Sequence, residues 1–155
     1  MKKLGILIAG AALTASAEPL PPKKLAARQL ICAVLILEAG GEVDKKTGNS
    51  RKGMALVWEV IWRRAELRKQ SPLEVVTARK QFSCLNNMKP GKAIEIAQRH
   101  PAWRHAWGIT GAPPVTRWTG GATHYYSTAI PAPYWATPET RTAKIGNHIF
   151  HKLTR

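Results

Sequence analysis

The chain has 155 residues, and 24 Lys and Arg against nine Asp and Glu give it a formal charge of +15. That length suits one compact domain with its own core and excludes a separate binding module, so catalysis and capture must share one surface. The charge favours polyanionic partners, for which nucleic acid is the usual inference.

Lys2-Lys3, the apolar run Leu4 to Leu13 and Ala15-Ser16-Ala17 read as the basic, hydrophobic and A-x-A parts of a secretory signal peptide. The apolar run is too short to span a bilayer. The expectation is a signal over residues 1–17 cleaved near Ala17, an N-terminal extension over 18–24 and a domain over 25–155. Removing 17 of the 155 residues leaves 138 and lowers the charge to +13. Export argues against nucleic acid as the partner and towards envelope polyanions: peptidoglycan carboxylates, teichoic acids or lipopolysaccharide phosphates. The mature protein is expected in the periplasm, outside the cell or in the cell wall, as a monomer without a stable membrane anchor.

Pro21-Pro22 pre-sets a helix start, and Leu25 to Ala39 is increasingly apolar all round, as in a buried central helix. Gly40-Gly41 ends it. The apolar run thus delivers Glu38 to the point where the helix stops. Desolvation there disfavours an ionised carboxyl, which is how general acids are made, and the glycines permit close approach. A plain helix-end Glu is an equally good reading of that position alone. From Gly53, the residues Met54, Val57, Trp58, Ile61 and Ala65 recur at helical spacing with Arg63, Arg64, Glu66 and Arg68 opposite, predicting an amphipathic helix with a solvated cationic face. Ser71-Pro72-Leu73-Glu74 has the form of a capping box that opens a short helix to about Ala78. Gln81 to Asn86 has the polar composition of a loop, and a further helix is predicted from Ala93 to His100, stopped by Pro101.

From Trp107 onward, glycines and prolines punctuate short β-rich segments, Ala122 to Tyr126 and Lys144 to Phe150, which read as strands of a small antiparallel sheet. Helices first and a loop-rich β segment last make the fold class α+β.

Most carboxylates have structural explanations: Glu59, Glu66 and Glu95 fall on or near polar helix faces, Glu74 fits a cap, and Glu139 sits in a loop. Glu38, Glu42 and Asp44 remain. An ordinary glycosidase needs a second carboxylate at roughly 5 to 9.5 Å, which Glu42 could supply. One glutamic acid suffices where the substrate carries its own nucleophile, as the muramic acid 6-hydroxyl does in lytic transglycosylation. A Cys84 nucleophile paired with His124 or His148 is a weaker reading, because no evident helix N-terminus lowers the thiol pKa. Zinc ligands drawn from His100, His105, His124, His148 and His151 match no zinc signature. Cys32 and Cys84 permit one disulfide in an exported chain without requiring it. Trp103, Trp107, Trp118, Tyr125, Tyr126, Tyr134 and Trp135 suit a saccharide cleft, although any single ring more often packs than binds.

Five ordered motifs carry a resemblance: Ile36-Leu37-Glu38-Ala39-Gly40-Gly41-Glu42, Gln81-Phe82-Ser83-Cys84, Gly120-Gly121-Ala122-Thr123-His124-Tyr125-Tyr126, Pro133-Tyr134-Trp135-Ala136 and Ile145-Gly146-Asn147-His148-Ile149-Phe150. No one of them is specific; together they resemble the spore cortex-lytic (SleB-type) cell-wall hydrolase family over nearly all of the mature chain. The resemblance implies a lysozyme-like, lytic-transglycosylase-like single domain acting on peptidoglycan without a metal or organic cofactor, with 25–155 as the catalytic domain. It also implies that Glu38 is the catalytic acid. Glu42, Gln81, Phe82, His124, Tyr125, Trp135 and His148 are then expected around the groove, binding glycan or holding Glu38. Gly40 departs from the family, which usually carries Arg there. Neither a spore cortex nor a sporulating host follows from the likeness. Three activities remain open: lytic transglycosylase, hydrolysis as a muramidase or N-acetylmuramoyl-L-alanine amidase, and non-catalytic wall binding.

Overall fold

The computed structural model describes residues 22–40 and 51–153. The expected signal peptide, Glu42 and Asp44 lie outside the described residues. Helix α1 (Pro22–Ala39) is followed by α2 (Arg51–Arg68), α3 (Pro72–Thr77), α4 (Ser83–Asn86), α5 (Pro90–Gln98) and α6 (Trp103–Ile109). Strand β1 (His124–Ser127), a 3-10 turn (Pro138–Thr140), β2 (Arg141–Ile145) and β3 (His148–His151) complete the α+β chain.

Residues Leu30 to Ile36 of α1 are all buried, on every side of the helix. The cause is that α2, α3, α4, α5 and α6 all pack on α1, so no face is left for water. Helix α2 lies between two apolar clusters. Met54, Val57, Trp58 and Ile61 join the helical core, whereas Leu56 and Val60 pack with Ala122 and Phe150 beneath the sheet.

That second contact corrects the amphipathic reading of α2. Glu59 and Arg64 fall among the polar positions of the sequence pattern, yet they are 6% and 7% exposed. The carboxyl-terminal β segment covers the side of α2 that the 3.6-residue period assigns to solvent. Helix α3 follows its sequence signals: Glu74 N–H donates to Ser71 Oγ at 3.2 Å and Ser71 N–H donates to Glu74 Oε2 at 2.7 Å, a reciprocal capping box. Helix α5 begins at Pro90, three residues before the expected start, because proline is accommodated at the first helical position.

The short helices α4 and α6 replace what reads as loop and unassigned sequence. Four and seven residues are too few to display a period, and neither has a side-chain cap. The single strand expected over Lys144 to Phe150 is instead the β2–β3 hairpin, turned at Gly146, whose φ of 56° suits glycine. The sheet is antiparallel, in the order β1-β3-β2, with Tyr125 opposite Phe150 and His124 opposite His151.

Candidate active site

Glu38 occupies the last turn of α1, after the buried run and one residue before the helix ends at Ala39. Its carboxylate is half-buried and is reached from two other elements. Tyr125 of β1 donates its hydroxyl to Oε2 at 3.0 Å. Ser83 Oγ and the Cys84 main-chain N–H donate to Oε1 at 3.3 and 3.4 Å. Residues 45 to 87 positions away thus hold one carboxyl group in one orientation.

Behind these donors lies Arg64. Its Nε donates to the Thr123 carbonyl at 2.6 Å, and its guanidinium faces the Phe82 ring at 5.5 Å. Burial pulls its pKa down to about 10, while the nearby Tyr125 and Glu38 raise it, so it remains a cation at neutral pH. Gln81 accepts from Arg68 at 3.0 Å and from Arg64 at 3.5 Å, tying α2 to the segment that carries Ser83 and Cys84. The Tyr125 hydroxyl is pushed well above its ordinary pKa by desolvation and then by the Glu38 charge, so it stays a donor.

Of the residues expected around the groove, Tyr125 touches Glu38 directly. Gln81 and Phe82 stand behind it through Arg64, and the buried His148 packs edge-on against the Tyr125 ring with centroids 5.3 Å apart. His124 and Trp135 are elsewhere. Side chains alternate along a strand, so His124, Tyr126 and His151 occupy the sheet face opposite Tyr125 and Phe150. Trp135 covers that outer face, with centroids 5.2 Å from His124 and 5.6 Å from His151.

The aromatic residues fall into separate groups and do not line one cleft. Trp103 and Trp107 stack on α6, with the Arg28 guanidinium 3.9 Å over the Trp107 ring. Tyr126 and Trp135 belong to the outer sheet face, and Tyr134 stands 97% exposed. Pattern reading places them in one half of the sequence; the strands then send them to different faces.

Cys84 lies in the first turn of α4, not in a loop, but burial and then the adjacent Glu38 charge raise its thiol pKa far above the usual range. Such a thiol is kept protonated, which removes the basis for a thiolate nucleophile. Cys32 and Cys84 are both free, and Cys32 Sγ lies 3.1 Å from Thr110 Oγ1. Among the described residues no three His, Cys, Asp or Glu side chains gather as metal ligands.

Two residues escape the sequence reading. Arg64 has no signal apart from its position on α2. Glu59 accepts from Thr116 Oγ1 and from the N–H groups of Trp118 and Thr119 at 3.1 and 2.9 Å, anchoring the loop before the sheet. At Gly40, a Cβ would lie 2.6 Å from the Ile36 carbonyl oxygen, so the arginine usual in the resembling family requires the backbone to shift.

A family model described as cell wall hydrolase matches residues 48–151. The matched segment begins after Glu38 and includes Ser83, Cys84 and Tyr125, its three partners. The chain is similar to the catalytic domain of the Bacillus cereus SleB protein: 24% identity, a TM-score of 0.50, and coverage of 83% of this chain and 91% of that one. The likeness is one of fold, the lysozyme-like α+β arrangement. Comparison with curated proteins finds no match.

Proposed function

The chain belongs to the cell wall hydrolase family, and from that premise we propose that it is an exported lytic transglycosylase, cleaving peptidoglycan strands between N-acetylmuramic acid and N-acetylglucosamine. The observation that carries this reading is the seating of Glu38, one partly exposed carboxyl group fixed by donors from α4 and β1. Glu38 protonates the glycosidic oxygen. The resulting carboxylate then accepts the proton of the muramic 6-hydroxyl as that oxygen attacks C1, closing the 1,6-anhydro ring. Tyr125, Ser83 and the Cys84 N–H keep the carboxyl group in place through both proton transfers, and Arg64 sets a fixed positive charge behind them.

A single-acid mechanism suits the other described carboxylates, each engaged elsewhere: Glu139 is hydrogen-bonded within its own turn, to its backbone and to Thr137. Glu59 holds the 116–119 loop, Glu66 pairs with Arg63, Glu74 caps α3, and Glu95 pairs with Lys92 and Arg99. Residues 1–17 act as the export signal, and the domain from residue 25 works in the periplasm or cell wall as a monomer. Among the described residues no helix is long and apolar enough to cross a membrane.

Mass spectrometry of muropeptides released from purified peptidoglycan tests the reading. Anhydro-muropeptides from the wild type and none from Glu38→Gln support it. Reducing-end products point instead to a muramidase with Glu42 as second carboxylate, free peptides to an amidase, and no release from either protein to a wall-binding role.

A further inference from the structure

A cavity of about 690 Å3 opens between the carboxyl-terminal half of α2, the approach to β1 and the segment after β3, with Arg63, Arg64, Arg68, Thr123, His124 and Lys152 in its wall. Its volume is that of a small-ligand site. Among the described residues no carboxylate lines it. Arg63 is paired with Glu66 at 3.4 Å. Among the described residues, Arg64, Arg68 and Lys152 have no carboxylate within salt-bridge distance. Four cations thus line one concavity, three of them without a carboxylate partner among the described residues and Arg64 buried, which is an arrangement for an anion.

Arg64 links the cavity to the Glu38 site, lining the one and lying within electrostatic reach of the other. It also donates to the Thr123 carbonyl, and two residues further on Tyr125 donates to Glu38. Arg68, also in the lining, holds Gln81 next to the segment that carries Ser83 and Cys84. A muramic acid seated at Glu38 carries its peptide on the neighbouring lactyl group. Two extended peptide residues reach about 7 Å, and a carboxylate borne on that peptide is the substrate group suited to a cationic cavity beside the Glu38 site. We propose that this cavity is a subsite for a carboxylate of the peptide attached to muramic acid. The proposal rests on the glycan-cleaving reading of Glu38 and adds a preference for peptide-bearing over charge-masked strands. Guanidinium N–H groups and an ammonium in one lining match a carboxylate, and the link through Arg64 to Glu38 selects the substrate's own carboxylate over a phosphate polymer bound for its own sake.

The test is calorimetric titration of the full chain carrying Glu38→Gln with a soluble disaccharide-peptide bearing free carboxylates and with the same compound amidated. The free acid is expected to bind roughly tenfold more tightly, with a gap that shrinks as salt rises. Adding Lys152→Gln or Arg68→Gln, each checked for unchanged thermal unfolding, narrows that gap to about threefold or less. Equal binding of the two compounds overturns the subsite, as does displacement by inorganic phosphate without discrimination between them. Release of muropeptides by the wild type at one rate from free and amidated strands, with equal binding, removes the subsite and leaves the glycan reading standing. A retained tenfold gap in a protein that releases nothing does the reverse.

Discussion

Glu38 and Glu59 each accept hydrogen bonds from side-chain hydroxyls and main-chain N–H groups. Glu38 takes them from Ser83, Tyr125 and the Cys84 N–H; Glu59 takes them from Thr116 and the Trp118 and Thr119 N–H groups. The number of bonds therefore does not separate a site carboxylate from a structural one. Donor type and access do. Glu59 sits mid-helix, 6% exposed, and although it borders a groove of about 540 Å3 both its oxygens are committed to the loop. Glu38 sits at a helix end, partly open, with a hydroxyl as the donor to Oε2.

Glutamine at each position exposes the difference. In Glu38→Gln the new amide can still accept from the Cys84 N–H while donating to the Tyr125 oxygen, because a hydroxyl can reverse its role. The substitution is expected to abolish glycan cleavage, by roughly 10³-fold or more, while the Tm moves by about 4 °C or less. A large fall in Tm would place Glu38 with Glu59 as a structural group.

At Glu59 each oxygen receives a main-chain N–H, so an amide turned either way sets an N–H against an N–H. Glu59→Gln is expected to cost about 3 kcal/mol, read as a fall of about 10 °C in Tm, with cleavage by the folded fraction retained. Loss of cleavage at unchanged Tm would show that access is the wrong criterion.

Tyr125→Phe removes one charge-assisted donor from Glu38 and is expected to slow muropeptide release roughly tenfold, leaving binding of insoluble peptidoglycan unaltered. An unchanged rate would reduce Tyr125 to packing beneath His148.

The smallest effect belongs to the outer sheet face. His151 is buried, its Nδ1 lies 2.9 Å from Thr140 Oγ1, and its Nε2 has no hydrogen-bond partner among the described residues. Desolvation, then Arg141, lowers its pKa below the usual value near 6.5. Below that value the unfolded chain takes up a proton that the folded chain resists, so stability falls as pH drops from about 6.5 towards the lower folded-state value. A Tm-against-pH series should show this loss, and His151→Gln should flatten it. A slope unchanged in His151→Gln would assign the acid sensitivity to other groups, and with it the acid limb of any activity profile.

Legibility varies with the kind of signal. The end of α1, the capping box of α3 and the order of helices before sheet follow from local composition, because burial, caps and turn residues act within a few positions. Helices α4 and α6 do not, being shorter than two helical turns or close to it. The break within the last predicted strand depends on one Gly-Asn turn inside an otherwise β-rich run. Glu59 and Arg64 show the sharper limit: a helical period assigns one face to a core, and α2 is covered on a second face by residues some 60 positions later.

The sequence by itself determined that a carboxylate stands where an apolar helical run ends, since hydrophobicity and the glycine break are properties of adjacent residues. It also determined the α+β class and the cationic character of the chain. Only the tertiary structure decided that Ser83, Cys84 and Tyr125 meet Glu38, that His124 and Trp135 turn to the other side of the sheet, and that four cations line one cavity. Those outcomes depend on strand register and helix packing, which are set by contacts between residues far apart in sequence.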